Sequence, residues 1–302
     1  MKKNDSNKSE KSFSSSSINW YPGHMVKAKR EIKEKLSLID IVYEVIDARM
    51  PISSKVIDLD DLIQDKKRIL LVTKYDLCDK KKTDRILFEY KKKYPVVVLD
   101  LKNGKYTEIE NLLNLTNKLL ENINLERKKK GLKPRLFRAL VVGAPNVGKS
   151  TLINRISRKN TLKTGNRAGI TKGISWVRIG NTIELLDTPG ILYPKILSYE
   201  VGLNLACFSS INEDILDKEE IATYVLTYLY QNYKEILIER YQLDKDIEFN
   251  LENLFTNIAK NTSSYKKGNL IDYDKVYTII LNDLKEGRIK NVTFDNIDNK
   301  KE

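Results

Sequence analysis

The segment from Phe137 to Thr151 constrains this chain more than any other. An apolar run rich in strand formers, Phe137–Val142, leads to Gly143. After four intervening residues come Gly148-Lys149-Ser150-Thr151, and then a helical spacing of Leu152, Ile153 and Ile156. A strand that turns through glycines into a helix is a phosphate-binding loop. The glycines let successive backbone N–H groups converge on a diphosphate, and the helix start adds its partial positive charge. In such a loop Asn146, Val147, Gly148 and Thr151 cradle the phosphates. Lys149 reaches the β- and γ-phosphates and serves catalysis there, and the Ser150 hydroxyl ligates Mg²⁺. The expectation is a nucleoside triphosphate site.

The flanking chain reads as an α/β fold. Apolar strands are expected over Ile39–Ile46, Arg68–Val72 and Val96–Leu99, with a Lys-rich helix over 79–93 and another over 107–121. Residues 122–135 carry Arg127-Lys128-Lys129-Lys130-Gly131 and Pro134, and read as a solvated linker. After the phosphate loop, residues 158–173 lack periodicity and read as a mobile loop. Strands over Ser175–Ile179 and Thr182–Leu186 follow, and the second ends at Asp187-Thr188-Pro189-Gly190. Strands alternating with helices imply a doubly wound, mostly parallel sheet. Beyond residue 198 the pattern turns helical: 219–241, 251–259 and 274–284, with a last strand signal at Val292–Phe294. At the front, residues 1–17 are polar enough to be a disordered tail. A basic helix over 26–38 follows them, with Val26, Ile32, Leu36 and Leu38 as buried positions. The expected organisation is a tail over 1–17, a nucleotide-binding domain over 18–198 and an all-α domain over 199–302.

The strand ends carry the ligand in open α/β sheets. Asp187 suits a carboxylate that holds Mg²⁺ through water, and Gly190 suits an N–H that meets the γ-phosphate. Thr171 suits a loop residue that closes on Mg²⁺ when the triphosphate is present. Thr73-Lys74-Tyr75-Asp76 suits base recognition. An ionised Asp76 offers only acceptors, which match the N1–H and exocyclic amino group of guanine. Adenine presents an acceptor at N1 and leaves that carboxylate unpaired at a cost of roughly 1–3 kcal/mol, so the nucleotide is expected to be GTP. The motifs are out of their usual order, with base recognition before the phosphate loop. Joining the old termini through residues 122–135 and opening new ones elsewhere lets the same sheet close.

With these residues assembled, the chain resembles the circularly permuted GTPases of the ribosome biogenesis GTPase A (YlqF/RbgA) type. The likeness runs from Trp20 to about Phe294. It includes Tyr21-Pro22-Gly23-His24-Met25, Asp47-Ala48-Arg49-Met50-Pro51, the permuted motifs, Lys267-Gly268 and Leu284–Lys290. The resemblance implies GTP hydrolysis, maturation of the large ribosomal subunit, and a C-terminal domain that contacts ribosomal RNA. The charge suits that partner, since 54 Lys+Arg against 41 Asp+Glu leave net +13. The expected protein docks on rRNA, leaves on hydrolysis and is a monomer off the ribosome. Cys78 and Cys207 stand alone with one histidine, which excludes a disulfide framework or zinc site. No membrane span is expected, and a cytoplasmic location is.

The mechanism departs from the common one. After Gly190, where many GTPases carry a water-orienting glutamine, stand Ile191 and Leu192. The resemblance implies that His24 supplies the missing catalytic group, with a structural role in the N-terminal turn as the alternative. It also implies that Asn146 holds K⁺, against a local turn bond. Turnover by the isolated protein is expected to be slow. Thr73 replaces the more usual Asn, and Leu101-Lys102 replaces the small pair that backs the guanine. An RNA-binding placeholder that senses GTP with negligible turnover is the second reading.

Overall fold

A computed structural model describes residues 23–158, 173–192, 198–211 and 216–297, apart from the side chain of His24. The chain opens with α1 (Gly23–Lys35) and a 3-10 turn over Leu36–Leu38. It then alternates through β1 (Ile41–Asp47), α2 (Leu59–Ile63), β2 (Lys67–Thr73), α3 (Lys80–Lys91), β3 (Val96–Leu99) and α4 (Tyr106–Lys129). Next come β4 (Phe137–Gly143), α5 (Lys149–Ser157), and the hairpin partners β5 (Ser175–Ile179) and β6 (Ile183–Asp187). Five helices finish the described chain: α6 (Tyr199–Cys207), α7 (Lys218–Asn232), α8 (Lys234–Tyr241), α9 (Leu251–Asn261) and α10 (Tyr273–Lys285).

The six strands form one sheet in the order β3-β2-β1-β4-β6-β5. All neighbours are parallel except β5, which runs antiparallel to β6 at one edge. β1, β2 and β4 are mainly apolar and are buried on both faces over nearly their whole length, as central parallel strands covered by helices must be. The register brings their carboxyl ends to one rim: Asp47 pairs with Thr73, and Val45 with Gly143.

Four local expectations need correction. In α1 and the 3-10 turn after it the buried apolar side chains are Met25, Ala28, Ile32 and Leu36, whereas Val26 and Leu38 are exposed. The apolar stripe starts one residue earlier than the sequence reading places it. The linker over 122–135 is largely helix: α4 runs on to Lys129 and ends in a Schellman cap. Gly131 at φ +71° lets Leu132 N–H reach Arg127 O and Gly131 N–H reach Lys128 O. Asn124 then clasps the backbone of Arg135, and this ties the helix end to the start of β4. The single helix over 219–241 is two, broken at a non-helical Tyr233 (φ −145°, ψ 43°) whose hydroxyl reaches Asp79 Oδ2 at 3.1 Å.

Val292–Phe294, finally, is not a strand. It runs as a strap between the helices and the loops after β1 and β2, with Phe294 N–H on Arg49 O (2.8 Å) and Val292 N–H on Leu77 O (3.3 Å). Phe294 stacks on Tyr228 with ring centroids 4.4 Å apart and meets Phe208 edge-on at 5.5 Å. Asp295 then accepts from Ile52 N, Ser53 N, Ser53 Oγ and Asn204 Nδ2. The helices after β6 are seated on the sheet through this strap. Phe294→Ala is expected to cost about 3–5 kcal/mol of unfolding free energy, and urea unfolding followed by far-UV circular dichroism measures it.

Candidate nucleotide site

Gly148 sits at φ +103°, in the left-handed region that glycine enters without strain, and delivers the chain into α5. Behind it, the Lys149 ammonium curls back over the loop and donates to Gly143 O (3.0 Å) and Ala144 O (2.7 Å). Ser150 and Thr151 occupy the first turn of the same helix, at its positive end.

The third element is the turn after β6. Thr188 Oγ1 donates to Val141 O (2.8 Å) and Ile191 N–H to Gly143 O (3.0 Å), which lays the Asp187–Gly190 segment along the phosphate loop. The approach is so close that a Cβ on Gly190 would stand 2.4 Å from Pro145 Cγ. No other residue fits there. Ile191 and Leu192, at the place of the water-orienting glutamine, are buried in apolar packing.

Asp187 is wholly buried, and neither carboxylate oxygen has a hydrogen bond of ordinary geometry among the described residues. Burial pushes its carboxyl up, and the nearby Lys149 charge works against that shift. Burial likewise pulls Lys149 down. A buried acceptor left unsatisfied beside the phosphate loop is costly by itself and fits a divalent cation held through water. The donor set therefore suits Mg²⁺.

The Thr73–Asp76 turn meets the phosphate loop directly, although the two lie far apart in the chain. Thr73 Oγ1 donates to Val147 O (2.6 Å), and its methyl packs beside Gly148 together with Leu101. Lys74 sits at φ +56° and donates from Nζ to Asn146 O (2.7 Å) and Asp47 Oδ2 (2.9 Å). Asp76, on the same turn, is exposed. Asn146, also left-handed (φ +61°), donates from Nδ2 to Ser209 O (2.6 Å) in the turn after α6.

Thr73, Lys74, Asn146, Val147, Gly148, Lys149, Asp187 and Gly190 are thus brought together around one rim. Thr171 lies outside the described residues. His24 belongs to the first turn of α1, and its side chain likewise lies outside them.

Two residues that the sequence reading did not place in the site belong to its support. Asp47 accepts from Arg49 Nε (3.0 Å) and Nη2 (2.9 Å) as well as from Lys74; Asp47 and Arg49 are buried and Lys74 is half-buried. The usable signal was the parallel register, because a carboxylate at the end of β1 must stand beside Thr73-Lys74 at the end of β2.

Residues 138–260 match the family model described as 50S ribosome-binding GTPase. Ribosome biogenesis GTPase A of Bacillus licheniformis is 42% identical over 279 residues, covering 92% of this chain and 98% of that protein. Among solved structures, GDP-bound TM YlqF superposes with a TM-score of 0.60 at 27% identity, over 89% of this chain and all of that one. GNP-bound YlqF from T. maritima gives 0.59 at 28% identity, over 89% and 98%.

Burial alone would raise the Asp47 carboxyl, but the Arg49 guanidinium and Lys74 ammonium outweigh it and hold the group well below the usual carboxylate range. The folded state therefore favours the charged form. The stability it contributes is complete above the unfolded value near ~3.9 and is lost as pH falls below it. Asp47→Asn leaves the buried Arg49 and the half-buried Lys74 uncompensated and is expected to cost about 3–5 kcal/mol at neutral pH. The gap to wild type should narrow below about pH 4. Urea titrations of both proteins across that range check the sign, and a pH-independent gap contradicts it.

Proposed function

The chain belongs to the ribosome biogenesis GTPase A family, and on that premise we propose that it docks on the RNA of the large ribosomal subunit with GTP bound and leaves on hydrolysis. It is a GTPase of permuted order that binds GTP and GDP. The observation that carries the reading is the junction of Thr73 and Lys74 with the phosphate loop, since it joins a guanine-selecting turn to a triphosphate cradle.

In this reading Asp76 accepts from guanine, Gly143–Thr151 holds the phosphates, and Lys149 swings from its loop carbonyls onto the β- and γ-phosphates. Ser150, Thr171 and Asp187 hold Mg²⁺, which when bound neutralises charge developing on the phosphoryl oxygens. Gly190 offers its N–H to the γ-phosphate. With Ile191 and Leu192 unable to orient water, the catalytic group is His24, placed by the ribosome, so turnover alone is slow. The oxygen of the Asn146 side chain is the ligand for K⁺.

The RNA-facing surface is the end of the sheet away from the nucleotide. There Arg135, Arg138, Arg178, Asn124 and Asn181 line an open polar cleft of about 650 Å³. The exposed basic end of α4, Lys128–Lys130, adjoins it, and Trp176 lies half-exposed beside the Arg138 guanidinium at 5.3 Å. Cations beside an accessible aromatic ring suit phosphates and an unstacked base. On the helical side, the exposed turn with Lys266 and Lys267 adds a second basic contact.

GTP turnover with and without large subunits, in K⁺ and in Na⁺, tests the cycle. Stimulation by subunits is expected, larger in K⁺ and lost in His24→Ala; equal rates in all four conditions sink it. Asp76→Asn is expected to weaken GDP roughly 5- to 150-fold, the equivalent of the 1–3 kcal/mol lost with a buried polar partner. Fluorescent-nucleotide titration reads that change, and an unchanged Kd removes Asp76 from the base site.

A further inference from the structure

Arg49 is an unusual residue to find 1% exposed. Two of its nitrogens grip Asp47, and Nη1 donates to Leu284 O (2.8 Å) in the last turn of α10. Its guanidinium lies over the Phe208 ring at 4.1 Å, in the turn after α6. Leu284 O is one of the terminal carbonyls of α10, which Gly287 N–H also reaches at 3.4 Å, and the cation sits at the negative end of the helix. One side chain therefore joins the end of β1 to two helices of the C-terminal bundle.

One of these two helices, α6, also reaches the nucleotide site by a second route. Beyond Phe208, Ser209 O accepts from Asn146 Nδ2 and Ser210 Oγ donates to Pro145 O (2.8 Å), both on the phosphate loop. Lys74 closes the circuit, since its ammonium binds Asp47 Oδ2 and Asn146 O together. The ring runs Asn146, Lys74, Asp47, Arg49, Phe208, Ser209 and back to Asn146, and almost every polar member is buried or half-buried. A shift of the bundle against the sheet breaks Arg49 from Leu284 and Ser209 from Asn146. It thereby disturbs the guanine turn and the phosphate loop at once.

We propose that Asp47 and Arg49 are positioning residues that couple nucleotide binding to the seating of the C-terminal helices: bound nucleotide favours the seated bundle, and the seated bundle favours bound nucleotide. This rests on the assignment of Thr73–Asp76 and Gly143–Thr151 to a guanine nucleotide. The coupling is reciprocal by linkage and is expected to lie in the range of roughly 5- to 150-fold in affinity. A partner that grips the helices then alters nucleotide affinity without touching the nucleotide.

Hydrogen exchange of the full chain, with and without saturating GDP, tests the proposal alongside fluorescent-GDP titration. In wild type, GDP is expected to slow exchange over residues 276–288 and 203–210 as well as over the phosphate loop. Arg49→Lys keeps a cation beside Asp47 but is too short to span to Leu284. It should weaken GDP within the stated range and abolish the distant slowing, while the loop stays protected at saturation. Phe208→Leu removes the ring beneath the guanidinium, leaves Asp47 and Lys74 intact and should lose the same distant slowing. A purely structural role would raise exchange over α10 equally with and without GDP. Distant slowing that persists in the variants, or is absent from wild type while its loop is protected, overturns the coupling. Should neither variant fold, the wild-type comparison decides alone. Wild type that shows no protected loop and no GDP binding overturns the nucleotide assignment itself.

Discussion

A single ammonium group, Lys74 Nζ, stands between a buried carboxylate on β1 and a backbone carbonyl of the phosphate loop. Removing a cation and a carboxylate from water is expensive, and the arrangement holds because Asp47 receives hydrogen bonds from both Arg49 and Lys74. That geometry turns the Thr73–Asp76 segment toward the phosphate loop and holds Asn146 in a left-handed conformation. The Thr73–Asp76 turn, the phosphate loop and the C-terminal helices all meet at this one charge cluster. Its parts come from five separate stretches of chain.

The permuted order costs the site little, because the sheet rather than the chain path places the motifs. Parallel pairing of β1 with both β2 and β4 lines up Asp47, Thr73 and Gly143 on one rim whatever the connections are. The connection that replaces the old termini is α4 and its glycine cap. Asn124 pins its end to Arg135, so β4 leaves the joint at a set position. The helices after β6 then add a layer that reaches the same rim from outside, through Ser209, Ser210 and the strap at Val292–Asp295.

Much of this was legible beforehand, and the exceptions have physical reasons. β3 and β5 have the boundaries that their apolar runs suggest, because turn-forming residues flank both. The end of α4 was not legible, since its last two turns are polar and stand free of the core on most sides. The break at Tyr233 has no proline or glycine to announce it. It exists because that hydroxyl is needed at Asp79, the N-cap of α3, in another part of the fold. Asp47-Ala48-Arg49 was visible as a strand-ending motif, but nothing in its spacing indicated that Arg49 would be buried against Leu284 and Phe208.

The amino-acid order by itself determined the phosphate loop, the polar Thr73–Asp76 turn at a strand end, the alternation that makes a parallel sheet, and the excess of positive charge. Each of these is local: a glycine spacing, a carboxylate after a strand, an apolar period, a count of ions. Tertiary structure alone decided that Lys74 would link Asp47 to Asn146, that the Asp187 carboxylate would be buried with no hydrogen bond of ordinary geometry among the described residues, and that the C-terminal helices would touch the nucleotide rim. Those outcomes depend on which distant side chains share a desolvated space, and in such a space every charge and polar group must be matched by whatever the fold brings beside it.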